Sequence, residues 1–166
     1  MEEFQFEQRA DFSAIVGNSK IVASSVGPGD EAVLLTVAPE YEKAPFDRET
    51  GTGRAKRHYP ATFIRMDGNK VKQVVELSEV EIAFPFVQPL PSGEVLLVGA
   101  RCHCRDGNPE KNSVVCSPDG EVRARFVLGD GINDVQTTIG GRIWVSYFDG
   151  VCLETTAGTN RWERPD

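Results

Sequence analysis

Phe84-Pro85-Phe86-Val87-Gln88-Pro89-Leu90 runs through Pro91-Ser92-Gly93 into Glu94-Val95-Leu96-Leu97-Val98-Gly99-Ala100. Two β-branched-rich apolar runs joined by a turn with glycine at its end make a hairpin pattern, because Gly supplies the positive φ that tight turns need. A polar loop around Asp106-Gly107-Asn108-Pro109 then leads to Ser113-Val114-Val115-Cys116. From there Asp119-Gly120 turns into Val122-Arg123-Ala124-Arg125-Phe126-Val127-Leu128. The stretch predicts four antiparallel strands. The second is apolar at consecutive positions and is expected to be buried on both faces, whereas the fourth alternates with Arg123 and Arg125 and is expected to be partly solvated. A sheet with that gradient fits between similar sheets, as a propeller blade does.

The same punctuation recurs on either side. Asp67-Gly68, Ser92-Gly93, Asp119-Gly120, Gly140-Gly141 and Asp149-Gly150 fall two to a unit, at a period of about 50 residues. In the preceding unit, residues 32–37, 62–66 and 71–77 match the second, third and fourth strands. In the following one, residues 133–138 and 143–148 supply two strands before the pattern gives way to a polar tail over residues 153–166. The expected architecture is therefore all-β: one domain holding a partial β-propeller of about 2.5 four-stranded antiparallel blades. Its units cover about residues 11–78, 84–128 and 133–152.

Gly131-Ile132-Asn133-Asp134-Val135-Gln136-Thr137-Thr138-Ile139-Gly140-Gly141-Arg142-Ile143-Trp144-Val145 resembles a blade repeat of the two-component-regulator type of propeller. Such a repeat runs from an Asn/Asp-Val strand through a Gly turn to an Ile-Trp strand. More broadly, residues 86–150 are similar to uncharacterised bacterial propeller-like proteins with repeats of this and the WD40-like kind. The resemblance implies blade structure and carries no reaction. It also implies six or seven blades for a full ring, so this chain is expected to be a partial propeller.

Composition bounds the partners. Eighteen Lys and Arg against twenty-five Asp and Glu give a net charge of −7. That balance argues against nucleic acid or an anionic membrane, both of which select a basic footprint. Residues 1–7 lack the basic and apolar regions of a secretory signal, and no apolar run is long enough to span a bilayer. Cys102, Cys104, Cys116 and Cys152 are too few and too clustered for a disulfide scaffold. A cytoplasmic protein with free thiols is expected.

Candidate chemistry is sparse. Cys102, Cys104 and Cys116, with His103 beside them, form the one cluster of soft metal ligands, and a hairpin turning at residues 106–109 is expected to bring Cys116 diagonally close to Cys102. No catalytic residues are assigned, since there is no Gly-x-Ser-x-Gly elbow and only His58 and His103 are available as imidazoles. The glycines near Arg48 do not fit a phosphate loop, and residues 40–59 read as a charged insertion loop, with Arg54, Lys56 and Arg57 able to grip an acidic partner. Asp130, Asn133, Asp134 and Gln136 gather oxygen ligands where a loop feeds a first strand, and are the expected ligand site, with calcium as the candidate ion and no other cofactor.

The expected function is non-enzymatic: a module that binds a ligand or protein partner at a propeller rim and self-associates through open blade faces. Two alternatives stand beside it. One is a lactonase-type hydrolase with a divalent metal held in the channel. The other is a fragment of a longer propeller with no function of its own.

Overall fold

The computed structural model describes residues 11–105 and 107–148. They form two four-stranded antiparallel sheets and a hairpin. Sheet 1 has the order β1-β2-β3-β4, from Lys20–Val26, Ala32–Val37, Arg54–Asp67 and Lys70–Ile82. Sheet 2 has the order β10-β9-β6-β5, from β5 at Pro85–Pro89, β6 at Val95–Gly99, β9 at Ser113–Cys116 and β10 at Val122–Phe126. A small pair, β7 (Cys104–Arg105) and β8 (Asn108–Pro109), decorates the loop between β6 and β9. The hairpin is β11 (Ile132–Thr137) with β12 (Ile143–Tyr147).

The expected turns fall where the glycines stand. Gly68, Gly93, Gly120 and Gly141 all have positive φ. At Gly120 the requirement is doubled, because a Cβ there would overlap the Glu76 carbonyl oxygen of the neighbouring sheet.

Three apolar layers set the order of the stack. Val33, Leu35, Phe63, Val75 and Leu77 of sheet 1 share one core with Val87, Val95, Leu97, Val114 and Cys116 of sheet 2. The other face of sheet 2, through Leu96 and Val98, packs on Ile132, Val135, Ile143 and Val145 of the hairpin. The other face of sheet 1, through Leu34, Ile64 and Met66, is covered by Phe12, Ile15 and Val16, the last two within helix α1 (Ser13–Val16). Sheet 2 is thus covered on both sides. All five residues of β6 are buried, while β10 keeps Arg123 and Arg125 in solvent, as the two sequence patterns predict. Each fully buried aliphatic or aromatic side chain in these layers contributes roughly 1.5–3 kcal/mol.

Sheet 1 corrects the sequence reading in two places. Residues 54–59 are not part of an insertion loop: they open the long strand β3, whose Arg54 and Tyr59 pair with Ile82 and Val80 of β4. Ala55 and Tyr59 point into the core while Arg54, Lys56, Arg57 and His58 stay exposed, so the basic run is the wet side of a strand. The Tyr59 hydroxyl, fully buried, donates to the Ile82 carbonyl at 2.8 Å, which satisfies its polar end. Burial also pushes its pKa upward. Strand β1 is the second departure. Lys20-Ile21-Val22-Ala23-Ser24-Ser25-Val26 has no sustained apolar run to announce it, and its register with β2 and a bulge after Ile21 define it instead.

The first strands of sheet 1, sheet 2 and the hairpin lie together: β1 packs along β5, and β5 along β11. A cleft lies between the outer strands β4 and β10, bridged by Arg125 of β10 pairing with Glu81 of β4. Pro85 and Pro89 are tolerated in β5 because it is the edge of its sheet, where a missing N–H breaks no ladder. The turn expected at Asp149-Gly150 and the tail over residues 153–166 lie outside the described residues, as does Cys152. No described helix is long and apolar enough to cross a membrane.

Candidate functional site

Three connections meet at one rim of the stack: residues 38–53 from sheet 1, residues 100–112 from sheet 2, and residues 127–131 between sheet 2 and the hairpin. Asp130 ties the last two together. Its Oδ1 accepts the Cys102 N–H at 2.7 Å, and its Oδ2 pairs with Arg101 at 3.0 Å. The Arg101 guanidinium in turn sits 5.8 Å from the centre of the Phe148 ring.

Glu110 does the corresponding work on the sheet 1 side. One of its carboxylate oxygens accepts the Gly53 N–H at 2.6 Å and the other the Arg54 Nε–H at 3.1 Å. Gly53 is required here, because a side chain would collide with the Arg101 carbonyl oxygen. Arg48 Nη1 lies 3.0 Å from His103 Nε2, and Arg57 stacks 4.5 Å from the centre of the Tyr41 ring. Buried Asn112 holds the rim from beneath: its Nδ2 donates to the carbonyls of Gly99 and Gly129 at 2.9 and 2.8 Å, and its Oδ1 accepts the Leu128 N–H at 3.0 Å. A half-satisfied amide in that position would strand backbone groups without water, so all three bonds matter.

The four residues expected to form one ligand site separate into two roles. Asp130 is turned into the rim network. Asn133, Asp134 and Gln136 are exposed on β11, with Asp134 opposite Ser146 and Gln136 opposite Trp144 on β12. The bulge between Ile132 and Asp134 sets which residues of the strand face outward.

The cysteines also separate. Cys104 and Arg105 pair back on Pro109 and Asn108, but Cys116 pairs across from Val95 at the far end of the β6–β9 ladder rather than beside Cys102. The register of the ladder, continued through Cys104 opposite Pro109, puts residues near 110 next to Cys102, and the Cys102 thiol donates to the Glu110 carbonyl at 3.0 Å. Cys102, Cys104 and Cys116 are free thiols, with Cys104 exposed and the other two buried. Burial pushes the thiols of Cys102 and Cys116 up to about 11, with Asp130 and Glu110 adding to the shift at Cys102. Burial thus holds both in the neutral thiol form at pH 7. Among the described residues, no three His, Cys, Asp or Glu side chains gather closely enough to hold a metal ion.

One position recurs through the stack. Register aligns Ser25 with Val33, Gln88 with Leu96 and Gln136 with Trp144, the outer-facing site of each first strand and its neighbour. Ser25 Oγ donates to the Val87 carbonyl of sheet 2 at 2.6 Å. Gln88 Oε1 accepts the Thr137 hydroxyl of the hairpin at 3.0 Å. Gln136, the third member, faces solvent. Sequence reasoning passed over Gln88, although a lone amide inside an apolar run is the mark of a buried polar contact. Asn112 and Glu110 carried no such mark, since their partners come from distant loops.

No protein-family model, curated protein or solved structure matches the chain.

Proposed function

We propose that the chain is a non-enzymatic binding module built as part of a β-propeller, which recognises a ligand or partner protein at the loop rim and self-associates through its open sheet face in the cytoplasm. The recurrence of Ser25, Gln88 and Gln136 carries this reading. The first two each reach from one first strand to the next, as neighbouring blades do around an axis, and the third is oriented for a sheet that would come after it. The meeting of β1, β5 and β11, with a cleft between the outer strands β4 and β10, supports the same wedge geometry.

The rim supports binding rather than turnover. Its carboxylates and guanidinium groups are paired with one another, and its buried thiol is held neutral. Trp144, Tyr147 and Phe148, all well exposed at the hairpin, support association at that end, because a terminal repeat leaves an apolar face without a neighbour.

Light scattering coupled to size exclusion tests the assembly, with a dimer or larger species expected and a smaller one for Trp144→Glu. A parent chain that stays monomeric at micromolar concentration and unfolds cooperatively would overturn the open-face reading. A panel of lactones and esters should show no turnover. Hydrolysis that disappears in Asp134→Ala would replace the binding module with a hydrolase.

A further inference from the structure

The cleft between the outer strands lies away from the rim and plays no part in that reading. It has a volume of about 480 Å³, in the range of sites that hold ligands. Its walls are β4 on one side and β9 with β10 on the other, and Leu77, Val80, Leu97 and Val114 give it an apolar lining. Both β4 and β10 are edge strands, each paired on one side only. Val122, on β10, is 47% exposed at the opening.

The banks are acidic. Glu76, Glu79, Asp119 and Glu121 are exposed around the mouth. The cations nearby are already used: Arg125 and Arg54 both pair with Glu81, and Arg123 lies 3.5 Å from Glu121. Among the described residues, Glu79 and Asp119 have no cationic partner.

We infer that this cleft docks an extended segment of another protein that alternates apolar residues with lysine or arginine. Strand edges accept such a segment by main-chain pairing, and alternate side chains then point to opposite sides. The apolar set fills the lining while the basic set meets the carboxylates at the mouth. The net charge of −7 adds a long-range attraction for the same partner. A free acidic segment is excluded by like-charge repulsion.

Fluorescence anisotropy with a short labelled peptide of alternating lysine and valine tests the inference. Saturable binding is expected, at least roughly tenfold tighter than for a glutamate–valine peptide of the same length. A peptide with the same lysines and proline in place of valine should also bind at least roughly tenfold weaker, since proline offers no N–H to a strand edge. Glu79→Lys combined with Asp119→Lys should weaken the lysine–valine peptide to a similar degree, and so should Val122→Lys at its half-exposed position, where folding is not at stake. Equal binding of the proline peptide would reduce the effect to net charge and overturn the groove. Parent-like binding by both variants, or no binding by the parent, would overturn it too.

Discussion

Gln88 and Gln136 hold the same place in successive units, yet one is 1% exposed between sheets and the other stands in solvent. Their strands are alike in sequence, with Val before each glutamine and a hairpin turn shortly after. The difference lies in what comes next in the stack. Sheet 2 has the hairpin over its second face, and β11–β12 has no described element over its own. A polar side chain in a strand is therefore a contact or a surface group according to the number of layers beyond it, and nothing local distinguishes the two.

The largest test of this comparison is in the apolar layers. Leu97 on β6 and Val145 on β12 occupy matching positions facing the preceding sheet, opposite Val87 and Val135. Leu97→Ala should lower stability by about 3–4 kcal/mol, because its side chain is almost wholly buried in the core shared by the two sheets. Val145→Ala, half-buried, should lower it by about 1 kcal/mol. Urea unfolding midpoints at constant slope measure both. Equal losses would mean that the hairpin is as tightly enclosed as sheet 2.

The glutamines give the next test. Gln88→Leu removes one of two acceptors of the Thr137 hydroxyl, leaving the Pro89 carbonyl at 2.8 Å, and also takes away the Gln88 oxygen that faces the Thr137 N–H; it should cost about 1–2 kcal/mol. Gln136→Leu should change the stability of the isolated chain by less than about 0.5 kcal/mol. Comparable effects on the isolated chain would show that Gln136 is enclosed after all.

The last test is a pH dependence confined to the sheet 1 and sheet 2 half. The thiols of Cys102 and Cys116 ordinarily titrate near 9, and in the folded chain they hold their protons up to about 11. Unfolding then releases protons between those values, so stability falls as pH rises from 9 to 11, by on the order of 1–2 kcal/mol per thiol. Thermal melts across that window should show the decline, and Cys116→Val should remove part of it. A parent chain with flat stability from pH 9 to 11 would mean that water reaches both sulfurs.

Much of the strand order was legible because it rests on short-range rules. The Gly turns at Gly68, Gly93 and Gly120, and the unbroken apolar run of β6, are local signals with local causes. The basic run at residues 54–58 misled because its charges alternate with Ala55 and Tyr59, and a strand with one wet face resembles a loop when the strand beside it is not considered. The cysteine cluster misled for a different reason. Nearness in sequence cannot stand for nearness across a ladder, where register alone puts Cys116 opposite Val95.

The sequence by itself determined that this chain is built from antiparallel β-hairpins, because hydrophobic alternation and turn chemistry act within a few residues. It also determined which strand of the middle unit is buried on both faces. Only the tertiary structure decided that Asp130 bonds Cys102 and Arg101 across the rim, since they reach it from another loop. Only the stacking of the sheets opened an acid-banked cleft between β4 and β10. Those features depend on side chains far apart in the chain, and their meeting is fixed by how two-faced sheets pack, which no single strand encodes.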